Sequence, residues 1–111
     1  MVMDGTVDGV RRGEVWWAEP PEERPRPVLI LTRDRAIEVM QRVLVAPLTT
    51  TIRDIPTEVA LDHRDGVPRR CVVSLDNVAP LSKTCLVKRL VQLSPQRMAE
   101  VRRALTRAVG G

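Results

Sequence analysis

The apolar positions fall into short runs of two different periods. After Gly13, Glu14-Val-Trp-Trp-Ala-Glu alternates and predicts a strand. Alternation sends Val15 and Trp17 to one face and Trp16 and Ala18 to the other. Both faces are apolar, so one is expected in the core and the other at an interface. Prolines 20, 21, 25 and 27 then interrupt any regular element and predict an exposed loop, since each fixes φ and removes a donor. Pro27-Val-Leu-Ile-Leu-Thr reads as a second strand. Asp34 is placed to cap a short helix running to about Gln41, with Ile37 and Met40 facing inward. Val43 to Thr49 is a third strand, and its Pro47 argues for an edge or a bulge. Thr49-Thr-Thr-Ile-Arg-Asp is a polar segment leaving it. Thr57 to Asp62 alternates as a fourth strand, residues 63–68 form a loop, and Cys71–Leu75 and Leu86–Leu93 are two more strands.

The period then changes. Ser94-Pro95 supplies an N-cap followed by a proline at the first helical position. Met98, Val101, Leu105 and Ala108 or Val109 form a helical stripe that Gly110 ends, with Arg97, Arg102, Arg103 and Arg107 mainly off it. Short strands with few helices predict a small, strongly bent sheet or barrel of the α+β class with a C-terminal helix. Residues 1–10 are polar, contain glycine and lack a period, so they read as a flexible N-terminal tail; residues 11–111 read as a single domain.

Composition narrows the chemistry. A chain of 111 residues builds one modest core and is suited to sharing surface with a second copy. There is no Tyr and no Phe, so Trp16 and Trp17 are the only aromatics, which excludes a stacking platform built from several rings. One histidine and two cysteines exclude a four-cysteine zinc site and any chemistry that needs two histidines. His63 sits in a polar loop, where solvation is its ordinary state. The N-terminus has neither the charged start nor the apolar core of a secretory signal, and no apolar run approaches the length of a membrane span. A cytoplasmic location follows as an expectation, with Cys71 and Cys85 reduced. Charge is uneven. Residues 1–68 carry nine basic and twelve acidic side chains, whereas residues 69–111 carry nine basic and two acidic. That asymmetry points to a surface that meets a polyanion or an acidic partner.

No glycine-rich phosphate loop, nucleophile elbow or metal-ligand spacing is present, and no cofactor or metal is expected. A set of cations and hydroxyls remains. Arg24 and Arg26 precede one strand, while Thr49, Thr50, Thr51 and Arg53 follow another. If those strands are neighbours, the groups converge. A guanidinium fork pairs with phosphate at two points, and threonine donates a further hydrogen bond. Such a site can stabilise a phosphodiester as charge shifts during displacement. It needs no metal when the attacking group is the RNA's own 2′-hydroxyl, which DNA lacks.

Arg12-Gly-Glu-Val-Trp-Trp-Ala, Arg26-Pro-Val-Leu-Ile-Leu-Thr-Arg-Asp and Val45-Ala-Pro-Leu-Thr-Thr-Thr-Ile-Arg occur in this order, followed by Cys71-Val-Val-Ser-Leu-Asp-Asn-Val and Leu93-Ser-Pro-Gln-Arg-Met. Together these segments resemble the MazF/PemK toxin family from about residue 11 to residue 109. The Leu-Thr-Arg-Asp after the second strand looks like the actinobacterial, especially the mycobacterial, branch. The resemblance implies an SH3-like barrel of the CcdB/Kid/MazF kind, assembled as a homodimer. It implies a metal-independent endoribonuclease that cuts single-stranded messenger, ribosomal or transfer RNA, leaving 2′,3′-cyclic phosphate and 5′-hydroxyl ends. It also implies a cognate antitoxin whose acidic, disordered tail lies across the RNA site.

By position, the family's catalytic arginine falls on Arg26 and its catalytic threonine on Thr49. Arg24, Thr50, Thr51 and Arg53 then line the groove, and Arg69, Arg70 and Lys83, with Lys88 and Arg89, track RNA backbone or antitoxin. Residues 20–25 become the loop over the site. Two other functions are compatible with the same fold: a CcdB-like gyrase poison, and a non-catalytic RNA- or antitoxin-binding module. Neither needs the Arg26 and Thr49 pair.

Overall fold

The computed structural model describes residues 9–110. Seven strands form one mostly antiparallel sheet: β1 (Glu14–Ala18), β2 (Arg26–Ile30), β3 (Arg42–Thr49), β4 (Glu58–Leu61), β5 (Cys71–Ser74), β6 (Ala79–Ser82) and β7 (Leu86–Gln92). A one-turn helix α1 (Asp34–Ile37) joins β2 to β3, and α2 (Pro95–Gly110) ends the chain. The strand order is β4-β5-β3-β2-β1-β7, with β6 also paired to β3. Among the described residues no ladder joins β4 to β7, so the sheet is not closed into a barrel.

β3 holds the sheet together. Along one side it pairs with β2, and along the other it pairs first with β6 through residues 42–45 and then with β5 through Leu48 and Thr49. Pro47 falls in the gap between those two partners. The expected edge or bulge is therefore corrected: β3 is central, and the proline sits where no donor is needed because the neighbouring strand changes. β6 was not legible in sequence, since Ala79-Pro80-Leu81-Ser82 carries no marked alternation.

Two apolar clusters lie on the two sides of β1–β3. Val15, Leu29, Ala46 and Leu48 pack with Val59, Leu61 and Val73 against Met98, Val101 and Ala104 of α2. Trp16, Ala18, Val28 and Ile30 pack with Ile37, Val43, Val45, Leu86 and Val10. Trp16 therefore belongs to an internal second core rather than to an interface. Val10, read as tail, is also buried there; residues 1–8 of that tail lie outside the described residues. The α2 stripe lies as patterned, and of the two candidates for its last position Ala108 packs on the core while Val109 is exposed. Ser94 caps α2, its Oγ accepting from the Arg97 N–H at 3.1 Å. Asp34 does not cap α1. It lies inside the first turn and accepts from the Arg12 N–H at 2.7 Å, α1 stops at Ile37, and Met40 is exposed. No helix among the described residues is long and apolar enough to cross a membrane.

Candidate phosphodiester site

A cleft of about 910 Å³ opens at the ends of β2 and β3. Its lining includes Arg24, Arg26, Thr49, Thr50 and Arg69, so five of the residues singled out in sequence come together. β2 and β3 are indeed neighbours, with Val28 opposite Pro47. The floor is apolar, formed by Val15, Trp17, Leu48, Val67, Cys71 and Val91. Burial pushes the Cys71 thiol up, which keeps it neutral, and neither cysteine is in a disulfide.

The Arg26 and Thr49 side chains are held by local hydrogen bonds. Arg26 Nη2 donates to Glu23 Oε1 at 3.3 Å, and its Nε donates to the Arg24 carbonyl at 3.4 Å. The fork is thus folded back on its own proline-rich loop, with the side chain still 39% exposed. Thr49 Oγ1 accepts from the Thr51 N–H at 3.1 Å. With one lone pair so engaged, the hydroxyl proton is left to donate elsewhere.

The segment after Thr49 has no regular structure but is anchored. Glu58 Oε1 accepts from the N–H groups of both Arg53 and Asp54 at 3.0 Å, and Asp54 adopts a positive φ of 58°. Two successive N–H groups in such a turn form a concavity that suits an oxyanion, and here Glu58 fills it. Thr57 Oγ1 donates to Asp76 Oδ2 at 2.6 Å, and Asn77 Nδ2 donates to Ser74 Oγ at 2.8 Å, so Asp76 and Asn77 hold a turn.

The opposite wall, residues 66–69, is fixed from α2. Arg97 donates to Asp65 through Nε at 2.9 Å and Nη2 at 3.2 Å, and this two-point pair holds the Asp65 carboxyl below the usual carboxylate range. Asp65 also accepts from the Asp62 N–H, closing the turn that delivers Gly66, Val67, Pro68 and Arg69 to the cleft.

Thr51, Arg53, Arg70 and Lys83 do not line the cleft. Thr51 and Arg53 lie on the adjoining segment, and Arg70 is exposed one residue beyond the wall. Lys83 is set apart: its ammonium donates to the Ile37 carbonyl at 2.7 Å and fastens α1 to the turn after β6. That bond joins residues 46 apart in sequence, which periodicity does not reveal. Arg89 is committed to the buried Glu14, at 3.1 Å. Trp17, read in sequence as core or interface, is half-buried on the cleft floor.

Comparisons with known proteins agree with this geometry. The pattern of the PemK-like, MazF-like toxins of type II toxin–antitoxin systems matches residues 11–109. The chain is 50% identical over 99 residues to the probable endoribonuclease MazF5 of Mycobacterium tuberculosis, covering 88% of this chain and 91% of that one. It superposes on the Mycobacterium tuberculosis toxin MazF-mt6 with a TM-score of 0.81 at 32% identity, over 87% of this chain and 96% of that one. An endoribonuclease from a mycobacterial species, solved in complex with its cognate antitoxin, superposes with a TM-score of 0.83 at 30% identity, over 92% and 96% of the two chains. The chain with Arg26 and Thr49 at the mouth of one cleft therefore belongs to the PemK-like, MazF-like toxins of type II toxin–antitoxin systems.

Proposed function

We propose that this toxin is a sequence-specific endoribonuclease that cuts single-stranded RNA by displacement at phosphorus, using the RNA's own 2′-hydroxyl. The observation that carries this reading is the convergence of Arg26 and Thr49 in one cleft from adjacent strands. In the reaction the 2′-hydroxyl gives up its proton to solvent as its oxygen bonds to phosphorus, the bond from phosphorus to the 5′-oxygen breaks, and the 5′-oxygen takes up a proton from solvent. The products are a 2′,3′-cyclic phosphate and a 5′-hydroxyl. Arg26 exchanges Glu23 for the scissile phosphate and stabilises the extra negative charge of the five-coordinate state. As a guanidinium it serves as a charge and hydrogen-bond donor rather than as a base. Thr49 donates its free proton to a phosphate oxygen. Thr50 and Arg69 hold flanking backbone at the rim, Arg24, Arg53 and Arg70 extend the cationic path, and Thr51 adds a hydroxyl beside it.

The same reading includes a homodimer, supported by the large apolar side chains of Val39, Met40 and Leu44 left exposed in the single chain. It includes an antitoxin whose acidic tail competes for the rim, and a cytoplasmic location, where the RNA is. The bent sheet is assigned to the SH3-like barrel class, supported by β3 serving β2 on one side and both β6 and β5 on the other.

The test is direct. A long single-stranded RNA is incubated with the protein in EDTA, and the fragments are offered to a polynucleotide kinase without phosphatase treatment. Specific cuts whose 5′ ends accept phosphate, absent with Arg26→Ala, are expected. No cutting of any RNA, or cuts bearing 5′-phosphates, would overturn the reading.

A further inference from the structure

The phosphate chemistry at the rim leaves the cleft floor without a role. The floor is apolar and holds one aromatic ring. Trp17 is the last apolar residue on its face of β1. Val15, two residues earlier on the same face, is fully buried in the main core, whereas Trp17 is half-buried and outside both clusters. The core ends at Trp17 and the cleft begins there. The indole is already oriented, since Nε1 donates to Glu19 Oε2 at 3.1 Å. Trp17 stands opposite Pro27 on β2 and opposite Lys88 on β7. Pro25, Pro27 and Leu90 add to the apolar lining of this slot, and Arg24, Arg26 and Arg69 line it as well.

Resting on the RNA-cutting reading, we propose that this slot holds one unpaired nucleobase of the substrate, stacked on Trp17, beside the scissile phosphate. An aromatic floor under a cationic rim matches a nucleotide in both parts, with a flat apolar base below and an anionic backbone above. The rim's three arginines favour a polyanion over an apolar peptide side chain. Elimination strengthens the assignment. The chain has two aromatic residues, and Trp16 is 3% exposed in the second core with its own Nε1 bonded to Glu14. Trp17 is therefore the one indole left for a base to stack on, and the one aromatic ring that lines the cleft. Proline and leucine walls set the width of the slot, so Trp17 contributes to which base is accepted at that position.

The experiment uses a short single-stranded RNA spanning an established cut site, with the attacking 2′-hydroxyl replaced by hydrogen to prevent cleavage. An abasic residue is moved through it one position at a time. Binding to the wild-type protein is measured by titration, together with tryptophan emission. At one position beside the cut, loss of the base is expected to weaken binding by about tenfold or more and to abolish the quenching of emission. Trp17→Leu is expected to weaken binding of the intact RNA by a similar factor and to be indifferent to that abasic position; Trp17→Phe keeps most of the affinity. Equal binding of every abasic RNA and the intact one would overturn the stacking site, and the slot would then suit an apolar side chain of a peptide. Should Trp17→Leu fail to fold, the abasic series on wild-type protein decides alone. A protein that cuts RNA but ignores every abasic position refutes only the stacking, whereas one that cuts no RNA refutes the function on which it rests.

Discussion

Arg26 and Thr49 each lie two residues beyond Val28 and Pro47, the last pair of the β2–β3 ladder. Both therefore sit at the same end of two adjacent strands, where both line the cleft. A ladder that continues into the core fixes their separation, and the loops on either side do not have to. The carboxylate of Glu23, 3.3 Å from Nη2 of Arg26, shows one direction in which that guanidinium takes an anion.

Arg26→Ala is expected to lower the cleavage rate by about 100-fold to 1,000-fold, the range for removing one donor to a developing oxyanion. Arg26→Lys recovers little, because an ammonium offers no two-point fork. The side chain is 39% exposed and its ion pair is a surface one, so stability should change by no more than about 0.5 kcal/mol. Single-turnover rates with thermal melting of the same samples check both parts. A rate within threefold of wild type would remove Arg26 from the reaction.

The strands that carry Arg26 and Thr49 were legible because each is a dense β-branched run ended by a proline or a polar stretch. Their adjacency was not: periodicity gives faces, whereas neighbours are set by pairings such as Val28 with Pro47. Pro47 misled for the same reason, since a partner change inside β3 leaves no local mark. Asp34 looked like a cap, but a carboxylate at that point serves equally well in the first turn, where it binds the Arg12 N–H. Lys83 was grouped with the cationic path on charge alone, and its commitment to the Ile37 carbonyl depends on the fold of both segments. Trp16 and Trp17 are identical in local sequence character, and only the extent of the core separates one as buried from the other as cleft floor.

Glu14 is expected to be a stability residue. It is 1% exposed, and its Oε1 accepts from the Arg11 N–H at 2.8 Å and from Trp16 Nε1 at 3.0 Å. Glu14→Leu strands the Trp16 donor in the second core and frees the Arg11 N–H, and should cost about 2–4 kcal/mol. Glu14→Gln keeps an amide oxygen for Oε1 and should lose less. Arg89→Ala, at a guanidinium 62% exposed, should cost under about 1 kcal/mol. Urea unfolding of the three variants gives the order, and an Arg89→Ala loss equal to that of Glu14→Leu would contradict it.

Asp65 sets part of the acid limit of stability. Its carboxyl titrates below its unfolded value, first because Arg97 donates to it through the side chain. A lowered folded pKa means the contribution is fully present above the unfolded value near 3.9 and is lost as pH falls through the folded value. Asp65→Asn should therefore be less stable than wild type at pH 7, and the gap should narrow below about pH 4. Melting temperatures from pH 7 down to pH 2 test this, and a gap that stays constant would mean the carboxylate's charge is not what holds α2 to the cleft wall.

Gly66 has a backbone reason and a packing reason to remain glycine, and a double-mutant cycle separates them. Its φ is +90°, where an L side chain is strained, and a Cβ built there would lie 2.9 Å from Cγ1 of Val91. Gly66→Ala should cost about 1–3 kcal/mol. Because Val91 lines the cleft with Trp17, the push should also raise KM for RNA while leaving kcat within about twofold. Val91→Ala removes the colliding methyl. In that background Gly66→Ala should retain the backbone cost and lose the collision, so the two changes together destabilise by less than the sum of each alone. Denaturant unfolding of the four proteins measures the coupling. Strict additivity would show that Val91 moves aside freely and that the 66–69 wall is held by backbone conformation alone.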